Sequence, residues 1–247
     1  MAAPRRTKTA PRMVGSRVLL NVDLGEFPDE PGPLYAYAHV ANIACGGHAG
    51  DDASMRRAVE LCRASGTCVG AHPSYPDREA FGRRALTMAP EALRASVAEQ
   101  CGRLAIIAAA LDSHVTFVKP HGALYHAAAE QAALADAVVG GAVEALGEEL
   151  VVVGPGRGEL AAAAGRAGLD YAREGFADRA TRANGTLIPR DHSGALLTEP
   201  AACAERARAL VLRGDIDTIC VHGDTPGAVS IARAVRAALD VLAEGLT

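Results

Sequence analysis

The 247-residue sequence contains no tryptophan, and all aromatic residues together make up only 4% of it. The core of a chain that is 49% hydrophobic must therefore consist mainly of alanine, valine, leucine and isoleucine. No apolar run approaches the roughly 20 residues that a membrane-spanning helix needs. The composition is typical of a globular chain, and we predict no membrane partner.

Metal-binding cysteine pairs are also missing. None of the six cysteines forms a Cys-x-x-Cys motif, and most of them lie within apolar runs. This pattern is typical of a reduced, cytoplasmic protein without a zinc–cysteine cluster. A net charge of −4 gives no electrostatic reason to expect nucleic acid as a partner. Residues 1–16 are basic and polar, and we expect a flexible N-terminal tail rather than a signal peptide.

Short β-rich runs alternate with helical patterns from residue 17 onward. Strands are predicted at residues 17–23, 40–45, 67–72, 114–119, 149–154, 169–174 and 218–223. Helical patterns separate them, including one behind a cap at Asp51 or Asp52 and one that starts near Pro90. Apolar strands joined by helices indicate a parallel sheet that is covered on both faces.

The strand pattern favours a single-domain (β/α) barrel over residues 17–247, with an open doubly wound sheet as the alternative. No linker-like composition divides the chain. One long irregular stretch, residues 174–198, contains Asn184-Gly185, which is a type I′ turn signal. We expect a β-hairpin in this stretch.

Titratable side chains collect at the predicted carboxyl ends of the strands, which meet at one face of a parallel barrel. Only the fifth strand lacks one. In chain order, the polar residues at these ends are Asn21, Asp23, Glu26, Asn42, Cys45, His48, His72, Lys119, His121, Glu174, Asp178, Arg179, His222 and Asp224. Aspartate and asparagine often cap the next helix, but capping does not call for histidine or lysine. We therefore predict an active site at this face.

Other signals in these segments are weaker. Gly46 and Gly47 would let the backbone approach a ligand closely. Cys45 is a possible nucleophile, but a small buried hydrophobe is the favoured interpretation. The segment FGRR (81–84) could place Arg83 or Arg84 on a carboxylate or phosphate, and a solvated or structural arginine pair is equally compatible with it.

Evidence for a metal or a nucleotide site is also limited. Asp23, His48, His72 and His222 are candidate ligands, but neither a His-x-x-x-His nor an HExxH motif is present. No Walker-type phosphate loop is present either. The sequence itself therefore gives no nucleotide-binding motif.

Seven blocks of sequence, in order, resemble the LamB/YcsF family. They are DLGE (23–26), NIACGGHAGD (42–51), GAHPSYPD (70–77), FGRR (81–84), VKPHGALY (118–125), EGFADR (174–179) and DTICVHGD (217–224). The resemblance covers roughly residues 17–240. It implies a seven-stranded (β/α) barrel related to the glycoside hydrolase/deacetylase superfamily. It also implies opening of 5-oxo-L-proline to L-glutamate with ATP and Mg²⁺, together with two partner subunits, B and C.

For this reaction, roles can be assigned to the strand-end residues. Candidates for proton transfer are Asp23, Glu174, His48, His72, His121 and His222. Candidates for substrate binding are Glu26, Asn42, Arg84, Arg179 and Asp224. Lys119 suits oxyanion stabilisation, and pairing with a structural carboxylate is its alternative. With the first role, Lys119→Met should leave folding intact and lower turnover.

Two other classes of protein fit the same residues. A stand-alone metal-dependent amidohydrolase or deacetylase would use Asp23 and two histidines as ligands. A non-catalytic substrate-binding subunit would keep the pocket, but substitutions in the pocket would leave the activity of the complex unchanged.

Overall fold

The structure is a computed structural model that describes residues 17–181, 186–188, 190 and 192–245. Within these ranges, the strands are β1 (Leu19–Leu24), β2 (Val40–Ala44), β3 (Cys68–His72), β4 (Val115–Val118), β5 (Val151–Pro155), β6 (Asp170–Phe176) and β7 (Thr218–His222). The helices are α1 (Pro33–Tyr37), α2 (Asp52–Ser65), α3 (Pro90–Ala110), α4 (Gly122–Glu130), α5 (Ala132–Leu146), α6 (Glu159–Arg166), α7 (Pro200–Arg213) and α8 (Ala228–Glu244).

The strands form one closed barrel. They are arranged in sequence order from β1 to β7, neighbouring strands are parallel, and β7 pairs back with β1. The predicted seven-stranded (β/α) barrel is confirmed, and the open doubly wound sheet is wrong. The bounds of each strand agree with the prediction to within two residues.

Capping at α2 follows directly from the sequence. The Asp51 side chain accepts a hydrogen bond from the Ser54 backbone nitrogen, and the Ser54 hydroxyl accepts one from the Asp51 backbone nitrogen, both at 2.8 Å. This reciprocal capping box satisfies two backbone donors that a helix start leaves free. The helix ends at Ser65, and the capping residue Gly66 has a φ of 71°, in the left-handed region that glycine tolerates. The cap fixes the end of the segment that carries His48.

Alternation along β1 separates the core from the site. Leu20, Val22 and Leu24 belong to the main hydrophobic core, whereas Asn21 and Asp23 between them contact side chains from other strands inside the barrel. Successive strand residues point to opposite faces, which explains the division. A separate apolar cluster fills another part of the barrel and consists of Val40, Phe117, Val151, Val153 and Ala172. The barrel is thus packed and is not a pore.

The irregular stretch after β6 contains two isolated antiparallel bridges, Arg179 with Leu196 and Thr181 with Leu187. These bridges agree with the predicted hairpin in that the chain doubles back. The Asn184-Gly185 turn lies outside the described residues, as does the predicted tail at 1–16. Within the described ranges, none of the helices combines the length and apolarity needed to cross a bilayer.

Candidate active site

Lys119 follows β4 directly and occupies the centre of the polar end of the barrel. Its ammonium nitrogen lies 2.8 Å from Glu174 Oε1, 2.9 Å from Asp23 Oδ1 and 3.3 Å from Asn21 Oδ1. Burial opposes the charge on Lys119, but Asp23 and Glu174 outweigh burial and raise its pKa well above the ordinary value. The ammonium group is therefore charged and directed at protein acceptors. Of the two roles predicted for Lys119, the geometry matches pairing with carboxylates.

Asp23 joins four strands at one carboxylate. In the strand register it pairs with Asn42 on β2 and His222 on β7. Asn42 donates to Asp23 Oδ1 at 2.9 Å, and the Nε2 atoms of His72 and His222 lie 3.4 and 4.0 Å from Oδ2. Burial would raise the pKa of Asp23, but His72 and Lys119 hold it well below the usual range. The predicted convergence of His72, Lys119 and His222 on one site is confirmed.

Glu26 and three histidines form a second cluster beside Asp23. Glu26 Oε1 lies 3.0 Å from His48 Nε2, 3.5 Å from His121 Nδ1 and 4.0 Å from His72 Nε2. The rings of His48 and His121 are stacked, with centroids 3.6 Å apart. Burial, followed by the charges of Asp23 and Asp224, raises the pKa of Glu26 well above its usual value. Burial also lowers the pKa values of His48 and His121 well below theirs. Both rings are therefore neutral at pH 7.

Backbone carbonyl groups fix the hydrogen positions of two of these rings. His72 Nδ1 lies 2.7 Å from the carbonyl oxygen of Lys119, and His121 Nε2 lies 2.9 Å from that of Phe81. A carbonyl oxygen only accepts hydrogen bonds, so these two nitrogens carry the hydrogens. The remaining nitrogens, His72 Nε2 and His121 Nδ1, face each other at 3.0 Å. A shared proton or a cation must lie between them, because two lone pairs at this distance would repel each other.

The structure regroups the four predicted metal ligands. His48 and His72 lie together, but Glu26 and His121 complete their group. Asp23 and His222 belong to a different group, with Cys220 as the third member. The sequence does not show which side chains group together, because the ligand atoms come from the ends of different strands that are far apart in the chain.

His222 is oriented by Asp178, which the sequence places only among the strand-end residues. The Asp178 carboxylate lies 3.0 Å from His222 Nδ1 and accepts a 2.6 Å hydrogen bond from the Thr225 hydroxyl. Phe176 stacks on the His222 ring at 5.7 Å. Because Asp178 takes the hydrogen on Nδ1, His222 presents Nε2 towards Asp23. Asp178 thus fixes the orientation of the His222 ring.

Several buried polar atoms at this end of the barrel lack a hydrogen bond of normal geometry among the described residues, including Asn42 Oδ1 and His48 Nδ1. Three others are Glu174 Oε2, the Tyr125 hydroxyl and Arg179 Nε, and the Tyr125 hydroxyl interacts with the Glu174 carboxylate. Burial, followed by the charge of Glu174, raises the pKa of Tyr125 well above its usual value, so the hydroxyl keeps its hydrogen. Sequence reasoning missed Tyr125. Its position in VKPHGALY could have indicated it, because Tyr125 lies on α4 one helical turn after His121, the residue that precedes the helix.

Arg84 is not brought to the cluster. Its guanidinium lies 3.0 Å from Asp77, and 59% of its side chain is exposed. Its neighbour Arg83 instead contacts Asp224 at 2.7 Å, and Arg190 contacts the other Asp224 oxygen. Of the two arginines that FGRR offers, it is therefore Arg83 that contacts a predicted site residue, whereas Arg84 pairs with Asp77.

Packing within the protein accounts for the glycines of NIACGGHAGD. A Cβ atom on Gly47 would lie 2.4 Å from both Gln100 Oε1 and Ser74 Oγ. Glycine at position 47 is thus required by the protein's own packing. Cys45 is fully buried, and burial raises the pKa of its thiol to about 12. A small buried hydrophobe is the better description of Cys45.

Aromatic side chains cover the cluster of Glu26 and the three histidines. Phe27 and Phe81 stack at 5.5 Å, and Phe81 makes edge contacts with His48 and His121 at 5.2 and 5.5 Å. A cleft of about 520 Å³ lies beside this cover and shares Glu26 and His48 with the cluster. Lys119 and Asp23 are only 2% and 3% exposed, so a substrate reaches them only if this end of the barrel opens.

Fold and site together define a parallel (β/α) barrel with a buried centre of carboxylates, lysine and histidines at the carboxyl ends of its strands. The LamB/YcsF family model matches residues 18–245, and the chain belongs to this family.

Named relatives cover nearly the whole chain. The chain is 45% identical over 246 residues to the A subunit of 5-oxoprolinase from Chloroflexus aggregans, covering 92% of this chain and 96% of that one. It is 43% identical over 246 residues to the A subunit of 5-oxoprolinase from Methylococcus capsulatus, covering 92% and 93%. The crystal structure of the lactam utilization protein from Thermus thermophilus is 36% identical, with a TM-score of 0.83 and coverage of 92% and 97%.

Proposed function

We propose that this chain is the A subunit of an ATP-dependent 5-oxoprolinase, which opens the lactam of 5-oxo-L-proline to give L-glutamate. The observation that carries the proposal is the 43–45% identity to proteins of that name over more than nine-tenths of each chain. The buried polar centre supports it, because the residues that chemistry on a small polar substrate needs lie together there.

Coupling to ATP has a chemical reason. The five-membered lactam is an unstrained amide that closes again readily. Transfer of the γ-phosphoryl group of ATP to the amide oxygen makes C5 electrophilic and releases ADP. Water then adds to C5, the C5–N bond breaks as the nitrogen takes a proton, and hydrolysis of the resulting acyl phosphate releases glutamate and phosphate. The site must therefore activate water and hold negative charge.

Three of the unpaired buried atoms match the polar groups of such a substrate. Glu174 Oε2 offers an acceptor, the neighbouring Tyr125 hydroxyl a donor and Arg179 Nε a cationic donor. In the proposed complex, Arg179 binds the substrate carboxylate and Tyr125 donates to the amide oxygen. Leaving buried polar groups unpaired is costly in a folded protein, and substrate would supply the missing partners.

Glu174 is the proposed proton-transfer group. Its Oε1 atom is held by Lys119 at 2.8 Å and by Asn21 at 3.0 Å, so the carboxylate is fixed while Oε2 stays available. A fixed group with a free oxygen can take the proton of the attacking water. In this scheme Lys119 is a positioning residue for Asp23 and Glu174 rather than the direct oxyanion donor.

Binding of ATP is assigned to the complex of subunits rather than to this chain alone. The sequence contains no Walker-type phosphate loop, and its relatives are named as one subunit of an enzyme. We therefore propose that ATP and Mg²⁺ are bound jointly with subunits B and C.

The test measures glutamate formation from 5-oxo-L-proline with ATP and Mg²⁺. The purified chain is assayed alone and with both partner subunits, and the partners are assayed without it. The proposal predicts release only from the complete set. Robust release by the chain alone would favour a stand-alone enzyme. Normal release when site substitutions are introduced into the complex would favour a non-catalytic subunit.

A further inference from the structure

We propose that Glu26, His48, His72 and His121 form a tetrahedral binding site for a divalent transition-metal ion of the zinc class. The site ties together the ends of β1, β2, β3 and β4. It goes beyond the lactam chemistry proposed above, because it would hold these strand ends together whatever reaction the barrel catalyses.

The contact between His72 and His121 carries the inference. Each ring gives its hydrogen to a backbone carbonyl, and the two remaining nitrogens lie 3.0 Å apart. Without a proton or a metal ion between them, two such nitrogens would direct lone pairs at each other, which is repulsive. A cation between the two nitrogens turns the contact into two favourable interactions. The outer hydrogen bonds to carbonyl groups are also those that typically orient histidine ligands of metals.

The other two side chains complete a tetrahedral set. Zinc binds imidazole nitrogen and carboxylate oxygen at about 2.0–2.2 Å, which places tetrahedral ligand atoms about 3.3–3.6 Å from one another. The separations here are 3.0 Å for Glu26–His48, 3.5 Å for Glu26–His121 and 4.0 Å for Glu26–His72. These values bracket the expected spacing, and all four ligand atoms lie within 4.8 Å of one another. Three imidazoles with one carboxylate suit zinc or a similar borderline ion better than calcium or magnesium.

The second candidate group, Asp23, Cys220 and His222, is less suitable for a metal. The Lys119 ammonium nitrogen lies 2.9 Å from Asp23 Oδ1 and 3.1 Å from Cys220 Sγ. That positive charge already occupies the position between the ligands and would repel a metal cation. The proposal is therefore confined to the cluster of Glu26 and the three histidines.

Metal binding is tested on the full chain after removal of any affinity tag. Protein stripped with a chelator is titrated with Zn²⁺ by calorimetry, and the bound metal is counted by elemental analysis. Co²⁺ is then used as a spectroscopic probe, since tetrahedral Co²⁺ absorbs visible light far more strongly than octahedral Co²⁺. We expect one equivalent of Zn²⁺, a tetrahedral Co²⁺ spectrum and a higher melting temperature with metal. Absence of stoichiometric binding would overturn the proposal and favour a proton shared by the histidines.

Two variants locate the metal. His48→Gln removes a ligand whose other ring nitrogen has no hydrogen-bond partner among the described residues, so it disturbs the fold least. We expect its Zn²⁺ affinity to fall by at least the ~10–100-fold that loss of an outer hydrogen bond costs. His114→Gln, at an exposed site just before β4, is the matched control and should bind normally. Unchanged Zn²⁺ affinity in His48→Gln would contradict the assignment. These measurements need no partner subunit, so their outcome is independent of lactamase activity.

Discussion

The ammonium nitrogen of Lys119, just beyond β4, lies 2.8 Å from Glu174 Oε1 on β6, and the same nitrogen lies 2.9 Å from Asp23 on β1. The side chains therefore meet inside the barrel, across strands that are not neighbours. This ion triad is the feature on which the proposed chemistry depends, and its burial has a direct energetic consequence.

Lys119→Met should destabilise the fold, contrary to the sequence-based expectation. Removing the ammonium group leaves two buried carboxylates without their cation, which typically costs about 3–5 kcal/mol of unfolding free energy. Urea unfolding of the isolated chain measures this. Arg166→Met is the control, since Arg166 pairs with Asp136 at the surface, where each side chain is at least half exposed, and such a pair contributes about 0–1 kcal/mol. Equal stability losses in the two variants would refute a structural role for the triad.

Tyr125→Phe separates binding from stability. The Tyr125 hydroxyl interacts with the Glu174 carboxylate but makes no hydrogen bond of normal geometry with a described residue, so its removal should change the melting temperature little. If the hydroxyl contacts the developing charge on substrate, kcat/KM of the reconstituted complex should fall by roughly 10–100-fold.

Tyr171→Phe provides the opposite control. The Tyr171 hydroxyl donates a 2.7 Å hydrogen bond to the Pro155 carbonyl oxygen, and its loss should cost about 1 kcal/mol of stability. Turnover should stay normal, because Tyr171 has no proposed part in the reaction. Normal kcat/KM in Tyr125→Phe would remove that residue from the proposed site.

His39 predicts a pH dependence of stability. Burial, followed by the charges of Arg236 and Arg17, lowers the pKa of His39 to about 4, with Asp240 acting in the opposite direction. The ring also accepts a hydrogen bond from the Leu20 backbone nitrogen at Nδ1, which protonation would break. The unfolded chain takes up this proton near pH 6.5, whereas the folded chain does not until about pH 4. The contribution of His39 is therefore full above pH 6.5 and is lost as the pH falls towards 4.

His39→Asn tests this sign, because an asparagine oxygen can accept from Leu20 but does not titrate. The fall in unfolding free energy between pH 7 and pH 5 should be smaller than in the wild type, on the order of 1 kcal/mol after allowance for solvent screening. His48 and His121 contribute to the same acid sensitivity and remain in both proteins. An identical fall in the two proteins would show that His39 does not titrate as described.

The sequence predicted the barrel and the face of the site because both depend on local periodicity and on strand ends. Asp23, Lys119 and His72 each follow or end an apolar run, and parallel strands must bring such ends together. Which side chains contact each other inside the barrel was harder to predict. Whether Lys119 faces substrate or carboxylates depends on the barrel's closure, which brings β6 and β1 to it. Arg83 and Arg84 are adjacent in a turn, and no sequence periodicity indicates which of the two side chains contacts Asp224.

Turnover of the reconstituted complex with Glu174→Gln tests the central claim most directly. The side-chain oxygen of glutamine can still accept hydrogen bonds from Lys119 and Asn21, and Lys119 still pairs with Asp23. The variant should therefore fold. The account predicts a loss of ~10²–10⁴-fold in glutamate release from 5-oxo-L-proline at saturating ATP, the scale for a proton-transfer group. Glu149→Gln, at an exposed position, should be normal. Wild-type turnover in a correctly folded Glu174→Gln complex would contradict the claim that the lactam is opened at this buried centre.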